Sequence, residues 1–190
     1  MLISELDKLD EIWKIVQLEL KKGPSVKRHP FRFVVLSTEH HGEVNSRWVV
    51  FRKYTNDSKL LIYTDARSKK CAELKENPNA SLLFYHDRHK LQIRVHAKAS
   101  IHQQDELNAK YWPGVKGSKP GDYLSKLSPG ERISDRAMGF EKERELDDRY
   151  FAILEFDLHK IDVLQLNGDR HIRAEFKKTD EEWESTFLVP

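Results

Sequence analysis

Ser68, Lys69 and Lys70 open a helical stretch. The first N–H groups of a helix have no intrahelical partner, and the aligned peptide dipoles put positive potential there. Two ammonium groups add charge, so the segment suits a phosphate. Arg47 heads an alternating strand, and Arg52 and Arg94 also sit beside apolar strand residues. A fold that joins Arg47 to Lys69 and Lys70 converges three cations on one anion; otherwise each is a solvated surface charge. Gln92 lies in Leu91-Gln92-Ile93-Arg94-Val95 and shares a strand face with Arg94 and His96. Its amide both donates and accepts, so it can read the edge of a heterocycle, or simply face water.

Other chemistries lack their marks. G-x-G-x-x-G and Walker A patterns are absent, and Gly114-Val115-Lys116-Gly117-Ser118-Lys119 has the composition of a phosphate loop in the wrong order. H-E-x-x-H and G-x-S-x-G are absent too. His86 and His89 stand three apart across a turn, a spacing that nine histidines supply by chance, so no metal site is assigned. The single cysteine, Cys71, excludes an internal disulfide and a cysteine-based zinc site.

Composition narrows the class further. Lys+Arg 33 against Asp+Glu 31 leaves +2, which gives no support to a nucleic-acid partner. The longest apolar run, 150–154, is five residues, far short of the ~20 that a membrane helix needs. The N-terminus turns acidic at Glu5 and carries no secretory signal pattern. The expectation is a soluble cytoplasmic protein without a membrane partner. Its length of 190 residues fits one domain with a real core.

The elements that must position these residues follow from periodicity. Leu6, Leu9, Trp13, Val16 and Leu20 predict a helix over 4–22, started by Ser4 and Asp7 and stopped by Gly23-Pro24. The period then changes to two. Strands are predicted over 31–38, 47–54 and 59–64, with turns at His41-Gly42 and Asn56-Asp57-Ser58. A short helix over 67–77 ends at Asn77-Pro78, and strands follow over 80–86 and 91–101. Residues 103–111 read as helix. Three prolines and three glycines between 113 and 129 predict a loop-rich excursion, continued by a charged stretch over 131–147. Strands over 150–158, 161–166, 171–177 and 183–189 close the chain, with Asn167-Gly168 as a hairpin turn. These elements predict one antiparallel β-barrel with helices packed on it, spanning 1–190 with 113–147 as an insertion.

Four stretches, in order and near the expected spacing, resemble the pyridoxamine 5′-phosphate oxidase-related family of FMN-binding split barrels. They are residues 45–52 (Asn-Ser-Arg-Trp-Val-Val-Phe-Arg), 61–70 (Leu-Ile-Tyr-Thr-Asp-Ala-Arg-Ser-Lys-Lys), 76–85 (Glu-Asn-Pro-Asn-Ala-Ser-Leu-Leu-Phe-Tyr) and 92–99 (Gln-Ile-Arg-Val-His-Ala-Lys-Ala). The likeness is good over 30–102 and looser beyond. It implies a mainly β fold: a six-stranded antiparallel split barrel with α-helices, acting as a homodimer with FMN at the subunit interface. Carried over position by position, Arg47, Lys69 and Lys70 hold the FMN phosphate, with Ser68 a further cofactor-binding candidate at the helix start. Val49, Val50 and the backbone near Phe51 line the ring, and Tyr63 and Thr64 touch the cofactor from the next strand. Gln92 bonds the isoalloxazine, Ser128 reaches in from the other subunit, and Arg173 replaces a late cofactor-contacting arginine.

The substrate half departs from the family. Arg52 stands where the true oxidases have a lysine on the substrate phosphate, which keeps the charge and changes the geometry. Tyr111 matches a phosphate-gripping tyrosine, Lys119 replaces its arginine partner, and Tyr123 stands near the serine. Arg170 belongs to a closing signature whose spacing is broken. Leu127 and Leu164 stand in place of a glutamine and a cofactor-stacking tryptophan. The resemblance implies an FMN-dependent oxidoreductase whose small-molecule substrate gives a hydride to the flavin; the altered substrate loop favours a different substrate, with pyridoxamine or pyridoxine phosphate as the alternative. The alternatives are a stress-associated flavin binder without turnover, and a barrel that takes haem or the deazaflavin F420. No catalytic acid or base is assigned.

Overall fold

The computed structural model describes residues 1–118, 120–180 and 182–190. Helix α1 (Leu9–Ser25) buries Ile12, Val16 and Leu20 against the barrel. It starts later than predicted. Ser4 and Asp7 close a separate turn, and the helix is capped by Lys8, whose N–H donates to Glu11 at 2.8 Å. It also runs past the predicted stop, since Gly23 and Pro24 lie inside its last turn. Gly23 is needed for contact: a Cβ there would sit 3.0–3.1 Å from Phe31 and Phe51.

Strands β1 (Phe33–His40) and β2 (Glu43–Tyr54) form a hairpin. Its turn is the predicted His41-Gly42, both with positive φ, as a two-residue type I′ turn requires. Next come β3 (Lys59–Asp65), helix α2 (Lys69–Glu76), β4 (Asn79–His86) and β5 (Leu91–His102). Helix α3 (Glu106–Lys116) precedes β6 (Phe151–Gln165), β7 (Ile172–Lys178) and β8 (Trp183–Leu188).

All neighbouring strands pair antiparallel, in the order β3-β2-β1-β4-β5-β6, and β3 pairs β6 to close a six-stranded barrel. The fold is mainly β, with β7 and β8 extending the sheet beyond β6. Inside the barrel, Val34, Leu36, Phe51, Ile62, Phe84, Ile93, Val95 and Phe156 form a sealed core. Burying each large apolar side chain stabilises by roughly 1.5–3 kcal/mol.

Two predicted boundaries are corrected. The stretches 150–158 and 161–166 are one strand, because the ladder steps over His159 as a bulge opposite His96 and Ala97. Helix α3 is capped by Asp105, whose side chain accepts from the Asn108 N–H at 2.9 Å, and it continues through Pro113 to Lys116. The excursion expected from 113 is therefore helical at its start. Beyond it, 124–149 holds one 3₁₀ turn, Arg136–Phe140, and a Ser125–Lys142 bridge. Among the described residues no helix is long and apolar enough to cross a membrane.

Candidate functional site

The predicted convergence of cations occurs at the N-terminal end of α2. Arg47 lies on β2 one strand away from Thr38 of β1, and its guanidinium bonds both Thr38 Oγ1 and Glu73 Oε2, the latter at 2.8 Å. Glu73 is buried on α2; its Oε2 also accepts from Thr38, and its Oε1 lies 3.8 Å from Lys69 Nζ. Burial acts to raise the Glu73 pKa, but hydrogen bonds from Thr38 and Arg47, with the charges of Arg47 and Lys69, bring it below the ordinary value. On the other side Lys70 Nζ donates to Thr64 Oγ1 at 2.9 Å. Burial lowers the Lys70 pKa, and the charge of Arg47 adds to that lowering. An arriving anion would oppose both effects and hold the ammonium form.

Ser68 takes the cap position of α2, yet its hydroxyl makes no cap bond; it turns inward to Cys71 Sγ at 3.4 Å and faces Thr64. Around this cluster Asp65 and Arg67 are closed on each other by bonds of 3.0 and 2.7 Å, so they add no net charge. Arg67 also stacks over Tyr150 at 3.4 Å and donates to the Ser125 carbonyl at 2.8 Å, tying the start of the 124–149 insertion to the end of β3.

On the outer face of β2 and β3 lies a cavity of about 680 Å³. Val50, Arg52, Tyr63, Tyr111 and Tyr123 line it, together with Arg32, Phe33 and Lys110, to which the sequence reading gave no role. A second apolar core builds its wall: Val115 of α3 and Tyr123 pack on Leu61, Phe151 and Ile153. Phe151 stacks edge-on to both Tyr63 and Tyr123, at 5.2 Å each. Arg52 lies over the Tyr63 ring at 5.6 Å, and Lys53 over Tyr111 at 5.1 Å. Burial pushes the Tyr63 and Tyr123 hydroxyls up to about 12, so both stay protonated donors at neutral pH. Lys119 lies outside the described residues.

The remaining assigned residues stand elsewhere on the chain. Val49 is half-buried and packs against the main core, and the Phe51 side chain is inside the barrel, so only its backbone can face a ligand. Gln92, Leu164 and Arg173 form one row across β5, β6 and β7. Arg173 is paired with Asp162 at 2.7 Å. Gln92 is three strands from Val50 across the sheet, roughly 14 Å at the usual strand spacing. The outer face carries exposed Phe33, Trp48 and Tyr85. Ser128 sits in the insertion, its N–H on Glu131 at 3.0 Å. Arg170 points away to Glu5 at 3.0 Å and does not line the cavity.

A separate buried trio, Glu19, His29 and His86, brings candidate metal-ligand atoms within 4.8 Å of one another. Its tautomers argue against an ion. His29 Nδ1 accepts from the Phe31 N–H and His86 Nδ1 from the His89 N–H, so each neutral ring carries its hydrogen on Nε2. His29 Nε2 donates to Glu19 at 3.0 Å.

The strand order and the β3–β6 closure define a split-barrel protein, and it carries a basic cluster and an aromatic cavity. A model of the pyridoxamine 5′-phosphate oxidase family matches residues 27–165, and the chain belongs to that family. It is 26% identical over 172 residues to the pyridoxine/pyridoxamine 5′-phosphate oxidase of Escherichia coli, covering 85% of this chain and 78% of that one. The fold is similar to a pyridoxamine 5′-phosphate oxidase-related, FMN-binding protein from Nostoc punctiforme, with TM-score 0.72, 20% identity and full coverage of both chains. It is equally similar to PhzG from Burkholderia lata, solved with tetrahydrophenazine-1-carboxylic acid: TM-score 0.72, 22% identity, 96% of this chain and 90% of that one.

Proposed function

We propose that the protein is a cytoplasmic FMN-dependent oxidoreductase that works as a homodimer, with the cofactor between two copies. The observation that carries this reading is the convergence of Arg47, Lys69 and Lys70 around the start of α2. Three cations brought together from two distant segments match a phosphate monoester, and charge-assisted bonds are among the strong ones. The chemistry of the donor set therefore fits FMN. When bound, FMN supplies the redox chemistry.

In this reading the phosphate sits among Arg47, Lys69 and Lys70, and Val49, Val50, Tyr63 and Thr64 orient the ring. Gln92, Arg173 and Ser128 complete the site from the second copy. Two features support the second copy: Gln92 lies three strands from Val50, and the exposed apolar face between them includes Phe33 and Tyr85. The cavity beside the ring takes a small substrate between tyrosines and cations. Arg52 and Tyr111 bind it, with Lys119 contributing from the insertion. Arg170, paired with Glu5, would reach a substrate only across the dimer.

The test is a visible absorption spectrum of the purified protein, followed by identification of the released cofactor. Flavin bands with FMN released are expected, together with elution at twice 22.4 kDa on gel filtration. A colourless protein that takes up no added FMN would overturn the reading, and a haem or deazaflavin spectrum would replace it. A stable monomer that still binds FMN would remove the two-copy site alone.

A further inference from the structure

Glu73 is an unexpected neighbour for a phosphate. It is 1% exposed, it stands directly behind Arg47, and no anion-binding role needs a carboxylate. Its two oxygens are treated differently. Oε2 takes hydrogen bonds from both Thr38 and Arg47. Among the described residues Oε1 is buried without a hydrogen-bond partner, and the Lys69 ammonium lies 3.8 Å from it. Glu73 therefore makes all its hydrogen bonds through Oε2, and Oε1 contributes charge alone.

We infer that Glu73 sets the charge of the phosphate cradle and so limits how tightly a phosphate dianion is held. Arg47, Lys69 and Lys70 less the Glu73 carboxylate leave +2, equal and opposite to a phosphate dianion. The nearby Asp65–Arg67 pair cancels itself. Without Glu73 the cradle would carry +3 and hold the dianion in excess of neutrality. With it, binding reaches balance, and a cofactor phosphate stays exchangeable. This inference rests on the flavin reading above and deepens it.

Glu73→Gln isolates the charge. The amide oxygen can take the place of Oε2 and keep both hydrogen bonds, and the amide nitrogen falls where Oε1 makes none. Arg47 reaches solvent, so removing its counter-charge leaves no sealed cation behind. Glu73→Met gives a second neutral side chain of similar size should the amide disturb folding. The measurement is flavin fluorescence quenching on the full-length protein, with FMN and with riboflavin, which has the ring and no phosphate.

A carboxylate within several ångströms of a dianion, in a water-like dielectric, opposes it enough to predict FMN binding about five- to tenfold tighter in the neutral variants. Riboflavin affinity is expected to stay unchanged. FMN affinity that is unchanged or weaker in a folded variant overturns the inference, and so does a parallel change for riboflavin, which marks Glu73 as structural. A wild-type protein that holds FMN no better than riboflavin overturns the phosphate reading itself, and the inference with it.

Discussion

The basic cluster that we propose as a phosphate cradle and the aromatic cavity are built in different ways. The cradle stands on a strand hairpin and the start of a helix, and its Arg47 and Lys70 side chains are held by bonds of 2.8 and 2.9 Å. The cavity leans on α3, a 3₁₀ turn over Pro120–Tyr123 and a small second core, and its aromatic rings meet at 5 Å or more. Regular elements fix the geometry of a charge cluster. The part of the wall carried by α3 and the Pro120–Tyr123 turn can change its lining without touching the barrel strands. The resemblance assigns the better-kept positions to a cofactor and the departing ones to a substrate.

The largest way to break the contrast is Phe151→Ala. Phe151 is fully buried and touches Tyr63, Trp112 and Tyr123, so its loss should cost about 3–5 kcal/mol of stability and open the cavity wall. Denaturant unfolding reads the cost. FMN affinity in the folded variant should fall far less than substrate turnover, and an equal fall would mean that the two regions are one unit.

Arg47→Ala is the counterpart on the cradle. Removing a charged donor from the phosphate costs about 1.5–3 kcal/mol, or roughly ten- to a hundredfold in FMN affinity. Riboflavin binding should be spared. Part of the loss falls on stability, because Glu73 keeps its buried charge. Calorimetric titration separates the two ligands; equal losses for both would place the phosphate elsewhere.

Arg67→Ala tests the tether. Without the bonds to Ser125 and Lys126 and the stack on Tyr150, the insertion should be cut faster by protease within 124–149, at a cost of about 1–3 kcal/mol. An unchanged digestion pattern would show that the insertion is held by other contacts.

The smallest effect is pH-dependent. Glu73 and Glu19 both have pKa values below the ordinary 4.5 in the folded protein. The unfolded chain then binds more protons than the folded one in that range, so stability is fully present above about 4.5 and is lost as pH falls. Melting temperature should drop from pH 6 to pH 4, and by less in Glu73→Gln. An identical drop in the variant would remove Glu73 from the pH response.

Much of the cradle was legible in the sequence. Lys69 and Lys70 follow a strand and open a helix, and Arg47 lies in a strongly patterned strand. Glu73 was not, although its spacing from Lys69 puts both on one helix face. Nothing local says that this face is turned inward. Arg32 and Lys110 went unread because the cavity arises where a 3₁₀ turn meets α3, and that is long-range packing. Strand β6 was divided because His159-Lys160 interrupts the apolar run; a bulge absorbs the interruption without ending the ladder. Pro113 read as a breaker, yet its only cost in the helix is one missing donor and the strain of its ring.

The central claim is that the basic cluster holds a phosphate. Titration of the wild-type protein with FMN and with riboflavin, in the same buffer, tests it most directly. The account predicts FMN tighter by at least about tenfold, the worth of one charge-assisted hydrogen bond. Equal affinities would contradict it and return Arg47, Lys69 and Lys70 to the status of surface charge.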